Sequence, residues 1–557
     1  MWDIIRDAPF GLVVRGLVRT TAFSHPEERS NKKLQTDNFA ARGDEEKQPG
    51  DVATPCKAER YSMQCDKANA TPDASFSALQ TRRSPMPALE SGILERLPPS
   101  LTGGETLLVG WYTDLDAANP QCWSSKKKAF VSAQMCLYTF TVYTGSSLFV
   151  AGELDVGSEF HVGATPTELG LALYVLGYGI GPMIWSPLSE IQQIGRNPIY
   201  ICTYTVFVAF SLAASLVNNL AGLLVLRFLL GLFGSPCLAT GGATLGDMYA
   251  PTKLPYAIAI CAGAANIGPA LGPMLSSFAV AANGWRWGAW ELLWMSGPVL
   301  VSLIFFLPET SHDAILLRRA RRLRHSTDRD FKSQTEFAFA GQTKRQIASD
   351  ALINPWQINV LDPSVLFTTI YASLIYAIYY SFFEAFPLVY PVIYGFDLGQ
   401  SSLPFLVTFV SLAFCIPAYC AYFALRVEPL MRTQSEFGLP EARLTPGVIA
   451  SFSIPIGCFI FAWSARPSVH WMIMQSIFLY LPSTYPKYSA SLFAANDFVR
   501  SSLAAAAILF SRPMFLKLGV AGGVSLLGGL AVICIGGIFA LYYGGAKMRA
   551  RSRFAVG

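Results

Sequence analysis

Charge is scarce in this chain. Only 14% of its 557 residues are Asp, Glu, Lys or Arg, where an average soluble domain carries about 25%. That shortage argues against an ordinary soluble protein. A net charge of +5 gives no reason to expect a nucleic-acid partner. There is no G-x-x-x-x-G-K-[S/T] stretch, so ATP-driven work has no phosphate-binding loop to rest on. Among the eleven cysteines there is no CxxC or CxxH pair, and several lie in apolar blocks, such as Cys136, Cys261 and Cys534. A disulfide framework or zinc site is not expected, and small buried hydrophobes are. The N-terminus also lacks an uninterrupted apolar core. MWDIIRDAPFGLVVRGLVRTTAF carries Asp3, Arg6, Asp7, Arg15 and Arg19, which is not the make-up of a signal peptide. Its Ile4, Ile5, Phe10, Leu12, Val13 and Leu17 form an apolar face at helical spacing, broken by Pro9. Either a membrane-surface helix or a helix docked on the protein itself would use that face.

What the chain has in quantity is apolar length. Hydrophobic residues make up 52% of it, gathered in blocks. A helix needs roughly 20 apolar residues to cross a bilayer. Blocks of about that length run over 129–151, 167–188, 198–217, 220–241, 255–281 and 287–307. After a polar loop come 364–388, 401–425, 446–464, 470–483, 489–510 and 519–543. The reading is an all-α membrane protein of two six-helix bundles, twelve transmembrane helices in all. Its regions are 1–128 (N-terminal, cytoplasmic, with a disordered tail over 24–105), 129–308 (first bundle), 309–363 (central cytoplasmic loop), 364–543 (second bundle) and 544–557 (C-terminal tail).

Basic residues set the orientation. Lys126, Lys127 and Lys128 precede the first span, and Arg318, Arg319, Arg321, Arg322 and Arg324 crowd the central loop. Arg426, Arg432 and Arg443 follow the eighth span; Lys547, Arg549, Arg551 and Arg553 follow the twelfth. With twelve spans all of these share one side, so both termini are expected in the cytoplasm. The loop over 152–166 has Glu153, Asp155 and Glu159 but no Lys or Arg, as the opposite side should; Arg512 and Lys517 depart slightly from the rule. The tenth block is short. Its fourteen residues rise about 20 Å against a core of about 30 Å. It crosses a thinned bilayer, re-enters on the same side, or lacks coding residues after Trp471; the basic C-terminus favours a crossing.

GAANIGPALGPMLSS (263–277) sets Pro269 and Pro273 among three glycines inside an apolar stretch. In a soluble core this reads as a loop. In lipid, irregular backbone is tolerated only against protein or water. Ala264, Gly268, Gly272 and Ser276 recur every four residues and form one smooth face, suited to close helix packing or to a contact that opens and closes. Gly263 and Gly268-Pro269-Ala270-Leu271-Gly272-Pro273 resemble the antiporter motif of the major facilitator superfamily, in its twelve-span drug:proton antiporters. The resemblance implies that this segment packs against span eight and limits leak. LRFLLGLFGSP in span four, with Arg227, Gly231 and Gly234, is similar to the family's arginine motif, which implies a part for Arg227 in proton coupling. A charge inside a span costs at least ~2.5 kcal/mol and faces an interior. SPLSEIQQIGRNP resembles the signature joining spans two and three, with Glu190 and Arg196 as the acid and arginine of a charge relay. Four residues rather than two separate Glu190 from Gly195, and the basic residue after the acid is missing. NGWRWGAWEL and LPET bracket span six as in fungal members. YPKYSASLFAANDFVRSS, SFFEAFPLVYPVIYGFDLGQ, PEARL, HPEE and the N-terminal MWDIIRDAPFG are similar to the subgroup that includes caffeine- and benomyl-resistance proteins.

Asp497 and Arg500 stand one turn apart in span eleven. They either neutralise each other or let Asp497 titrate as Arg500 rearranges. Tyr376, Tyr380 and Glu384 share one face of span seven, which suits an amphipathic cation through charge and cation–π attraction; Glu384 lies late enough in the span to face water instead. The cavity lining is expected to include Asn266, Tyr376, Tyr380 and Glu384, with Arg227 and Asp497 for coupling. The resemblance implies proton-coupled export of small hydrophobic or cationic compounds, drugs, toxins or fungal secondary metabolites, across the plasma membrane. Alternatives are uptake of a sugar, polyamine or vitamin by the same fold, and a non-transporting sensor. No enzymatic activity, cofactor or metal is expected. The expected partners are a small-molecule substrate, protons and the lipid bilayer, and the protein is expected to be a monomer.

Overall fold

The computed structural model describes chiefly residues 2–11, 107–327, 330–338, 359–429, 451–464 and 489–551. The tail over 24–105, the short tenth block and most of the loop after the eighth span lie outside the described residues.

The first bundle follows the apolar blocks closely. Its spans are Ser125–Ser147, Ala164–Glu190, Asn197–Leu216, Leu220–Gly234 continued by Pro236–Met248, Leu254–Asn283 and Arg286–Phe306. The first span stops at Ser147, short of the expected 151. A 3-10 turn, Val150–Gly152, and a short helix, Glu153–Glu159, follow it. The fourth is longer than expected and breaks once, at Ser235 before Pro236, where the missing proline N–H is least costly. In the second half come Pro363–Tyr394, then an eighth span assembled from Leu398–Ser402, Leu403–Phe405, Leu406–Tyr422 and a π turn at Phe423–Val427. Ser453–Ser464 is the described part of the ninth. The last two spans form one apolar run, Ser489–Arg551, broken at Gly519, whose φ of 72° only glycine adopts without strain. Eight stretches among the described residues are long and apolar enough to cross a membrane, Ser125–Ser147 not being one of them, and the run through Gly519 is long enough for two crossings.

Residues 263–277 are helical throughout, despite two prolines. Their hydroxyls take up carbonyls of the same helix: Ser276 donates to Gly272 O at 3.0 Å, and Ser277 to Pro273 O. The smooth face at Gly268 and Gly272 packs on the first span, while the same segment also reaches the eighth span. A Cβ on Gly268 would lie 2.9 Å from Phe140 O and 3.0 Å from Thr144 N, and one on Gly272 would strike the Ser147 hydroxyl. Gly263 meets the eighth span against Ile416, and Ile267 packs in the apolar cluster around Leu412 of that span.

The N-terminal helix Trp2–Asp7 docks on the protein, with Phe10 4.6 Å from Phe305 of the sixth span. Two short strands, Leu107–Val109 and Phe331–Ser333, pair in parallel, tying the segment before the first span to the loop after the sixth. Arg319, on the loop helix His312–Thr327, donates to Asp116 at 2.7 Å with both side chains buried, and lies over the Tyr112 ring. Burial opposes the charge on Asp116, but Arg319 and the Ala118 and Tyr112 N–H groups hold its carboxyl below the usual range.

Candidate functional site

A cavity of about 790 Å³, mouth included, lies between the two halves. Its lining mixes apolar and aromatic side chains with few polar groups, as small-molecule sites do. Leu245 and Ile258 place it in the half of the molecule nearer the central loop, three and four residues from the helix ends Met248 and Leu254. Thr139, Tyr143, Tyr376, Tyr379 and Arg500 form its inner wall. Asn266 and Tyr376 line it as expected, though the Asn266 amide donates to Ala262 O of its own helix at 2.7 Å. Pro269 lines it too, so residues 263–277 are both a packing face and a cavity wall.

The inner wall is closed by hydroxyls. Tyr178 OH lies 2.6 Å from Tyr376 OH and 2.9 Å from Tyr380 OH, and Ser146 OH is 3.4 Å from Tyr380 OH. The first two contacts and the third all join one half to the other. Tyr380 thus seals the roof rather than lining the cavity. Glu384, one turn further along the helix from Tyr380, is buried at 4% exposure and is not part of the cavity lining, so it neither lines the cavity nor faces open water.

Asp497 and Arg500 are brought together at the wall and bonded to each other, both buried. Arg500 also donates to Tyr143 OH at 3.2 Å across the halves and lies 4.3 Å over the Tyr376 ring. Oδ2 of Asp497 has no hydrogen-bond partner. The second span reaches this point closely: a Cβ on Gly179 would lie 2.5 Å from Ser501 Cβ and 3.6 Å from Asp497 O.

Arg227 sits apart from the cavity. Its guanidinium donates to Gly145 O and Ser146 O at 2.8 Å each and to Gly170 O at 3.1 Å, between the Phe149 and Tyr174 rings. Gly145 and Ser146 lie in the last turn of the first span, where carbonyls have no helical partner. Arg227 thus caps that helix and ties spans one, two and four together. A positive group at a helix C-terminus also suits its dipole.

The expected relay between Glu190 and Arg196 is replaced. Arg196 forms its ion pair with Asp247 of the fourth span, at 2.6 and 3.2 Å, and its backbone N–H donates to Glu309 at 3.0 Å. Glu190 ends the second span exposed, and its charge adds to that of Asp247 at Arg196. Burial works against the Arg196 charge, yet Asp247 raises its proton affinity above the ordinary value. Glu309, the acid of LPET, also accepts from Arg318 at 3.0 Å. Neither Asp247 nor Glu309 was singled out from sequence. Asp247 lies within a helix end that reads as apolar, and PET alone discriminates nothing. At the same end Lys253 and Tyr256 of the fifth span reach Glu428 of the eighth at 2.7 and 2.8 Å.

Helices crossing as two halves around a central cavity define a secondary transporter fold. The sequence profile of the Major Facilitator Superfamily matches residues 135–508, and the chain belongs to that superfamily. It is 46% identical over 473 residues to the MFS-type transporter pyvG of Aspergillus violaceofuscus, covering 82% of this chain and 87% of that one. It is 38% identical to the multidrug transporter FLR2 of Candida glabrata (81% and 80% covered). It is 34% identical to the citrinin biosynthesis cluster transporter mrr1 of Monascus ruber (82% and 93%). Among solved structures it resembles the human organic anion transporter MFSD10, with TM-score 0.51 and 14% identity over 74% of this chain and 99% of that one. A peptide transporter, POT, gives 0.50 and 14% over 79% and 98%. These two likenesses concern the fold alone.

Proposed function

We propose that the protein is a proton-coupled antiporter that exports small hydrophobic or cationic compounds, drugs or fungal secondary metabolites, from the cytoplasm across the plasma membrane, as a monomer. The observation that carries this reading is the aromatic-walled cavity ending on the buried Asp497–Arg500 pair. Lysine and arginine crowd the central-loop end, so that end is the cytoplasmic one, and the cavity faces the cytoplasm with its far side sealed. A cation entering it meets the faces of Tyr376 and Tyr379 and the Arg500 side chain, behind which Asp497 is buried with its Oδ2 unpartnered. Arg500 swings from Asp497 to its hydroxyl neighbours when the acid takes a proton, and returns when substrate displaces that proton. In this mechanism Asp497 and Arg500 carry the coupling, and Arg227 positions the helices that frame them. The names of the fungal relatives support drugs and metabolites as the cargo class.

The test is efflux of preloaded tetraphenylphosphonium from yeast lacking its own drug pumps. Faster efflux than in empty cells, abolished by a protonophore and by Asp497→Asn, supports the reading. Accumulation instead of efflux, with protein present at the surface, refutes it in favour of uptake.

A further inference from the structure

At the end opposite the central loop, beyond the tyrosine seal, three carboxylates from the two halves lie within range of one another's charge. Glu153 opens the short helix after the first span, Glu168 lies in the second turn of the second span, and Glu384 is in the seventh. Glu168 is 1% exposed and Glu384 4%. Each of the three has one oxygen sealed from solvent with no hydrogen-bond partner: Oε1 of Glu153, Oε2 of Glu168 and Oε1 of Glu384. The nearest cation, Arg512 of the eleventh span, donates to Glu168 Oε1 at 3.3 Å and is itself 31% exposed. The other cation facing the group, Arg227, is committed to three carbonyls.

Three carboxylates, two of them buried and Glu153 partly so, cannot share one part-exposed guanidinium, because an unpaired buried charge costs several kcal/mol and neutralises instead. Two occupants would cure this: a metal ion or protons. Among the described residues no three carboxylate, histidine or cysteine side chains converge closely enough to hold a metal, which leaves protons. We propose that Glu153, Glu168 and Glu384 form a proton-binding latch at the far end, which must be loaded for the two halves to close there. Glu153 and Glu168 travel with the first half, Glu384 and Arg512 with the second. Closure crowds the acids and strips their water; parting returns each acid to water and releases the proton to the side it came from. Glu153, outside the spans, illustrates the pressure: burial, then the fields of Glu384 and Glu168, push its carboxyl well above the usual range against Arg227 and Arg512. This latch is distinct from the coupling proposed at Asp497, and its proton is not the one exchanged for substrate.

The experiment measures far-end opening against pH in the full-length protein in nanodiscs, by the distance between labels carried on unnatural amino acids. Positions 154 and 516 serve, one on each half, since Leu154 and Leu516 are 73% and 67% exposed. In the wild type the closed-to-open ratio should rise as pH falls, by up to about tenfold per pH unit for each proton bound. Glu168→Gln with Glu384→Gln, each keeping the shape of the protonated acid, should favour the closed state and keep only the shallow pH response of Glu153. Glu153→Gln, on the surface helix, gives a second variant that spares the spans, and should reduce the slope. An unchanged pH response in the Gln variants overturns the latch. So does closure that follows sodium, exchanged for choline, at fixed pH. Protonophore-insensitive efflux alongside an intact pH response would refute the antiport reading and leave the latch standing.

Discussion

Replacing Arg227 by alanine separates a helix clamp from a coupling group. The side chain is 5% exposed and gives all three guanidinium nitrogens to carbonyls. Two of those carbonyls, Gly145 and Ser146, close the first span, and their orphaning in a dry interior costs about 1–3 kcal/mol each. Loss of the Phe149 and Tyr174 ring contacts adds roughly 1–2 kcal/mol. Relief from burying the cation offsets part of this, so Arg227→Ala should destabilise by roughly 3–5 kcal/mol. Arg227→Lys should recover less than half, since a single ammonium cannot span carbonyls on two helices in the planar fork. The assay is thermal aggregation of the detergent-solubilised protein, run beside surface abundance and tetraphenylphosphonium efflux. Efflux should fall in proportion to surface protein. If Arg227→Ala keeps the wild-type melting profile and abundance while efflux vanishes, the clamp argument is wrong and Arg227 acts directly in coupling.

Further expectations concern packing and charge. Gly268→Val should lower the melting temperature and transport together, because its Cβ would press on backbone atoms of Phe140 and Thr144 at 2.9 and 3.0 Å; overpacking of this kind costs typically 1–3 kcal/mol. Gly519→Ala meets no atom within 4 Å, so only its φ of 72° opposes it, and a loss of about 1–2 kcal/mol should appear in the same melt. Arg319→Ala should cost about 3–5 kcal/mol by leaving Asp116 buried and unpaired. The folded carboxyl of Asp116 titrates below its unfolded value of about 3.9. Its contribution is thus complete above that pH and lost as pH falls through the folded value, and the acid limb of a stability profile should flatten in Arg319→Ala.

The described spans were legible because a lipid-facing helix must be apolar along its whole length, although block length misplaced some ends by six or seven residues, as at Met248 and Tyr394. Where the first span ends was not legible. Leu148 to Gly152 read as apolar continuation, but Arg227, eighty residues away, caps the helix at Ser147. Local pairing also misled at Arg196. Glu190 is near in sequence, yet Asp247, fifty-one residues on, faces it across the helix pair. Asp497 and Arg500 could be paired from spacing, since one helical turn joins them. The Tyr178–Tyr376–Tyr380 seal could not, because it is made by helices from different halves. The Glu168–Arg512 pair is hidden for the same reason: Arg512 stands out in the sequence only as a departure from the charge rule, and its partner lies in the other half.

The parallel strand pair has a consequence for how the chain can be divided. Leu107–Val109 stitched to Phe331–Ser333 makes the first six spans a closed circuit, with both chain ends of that half fastened at one place. A cut after Ala338 severs no hydrogen bond of that circuit. The two products of such a cut, made as separate polypeptides in one cell, should find each other and restore a working transporter. A cut between Ser147 and Ala164, inside the circuit, should not be repaired in this way.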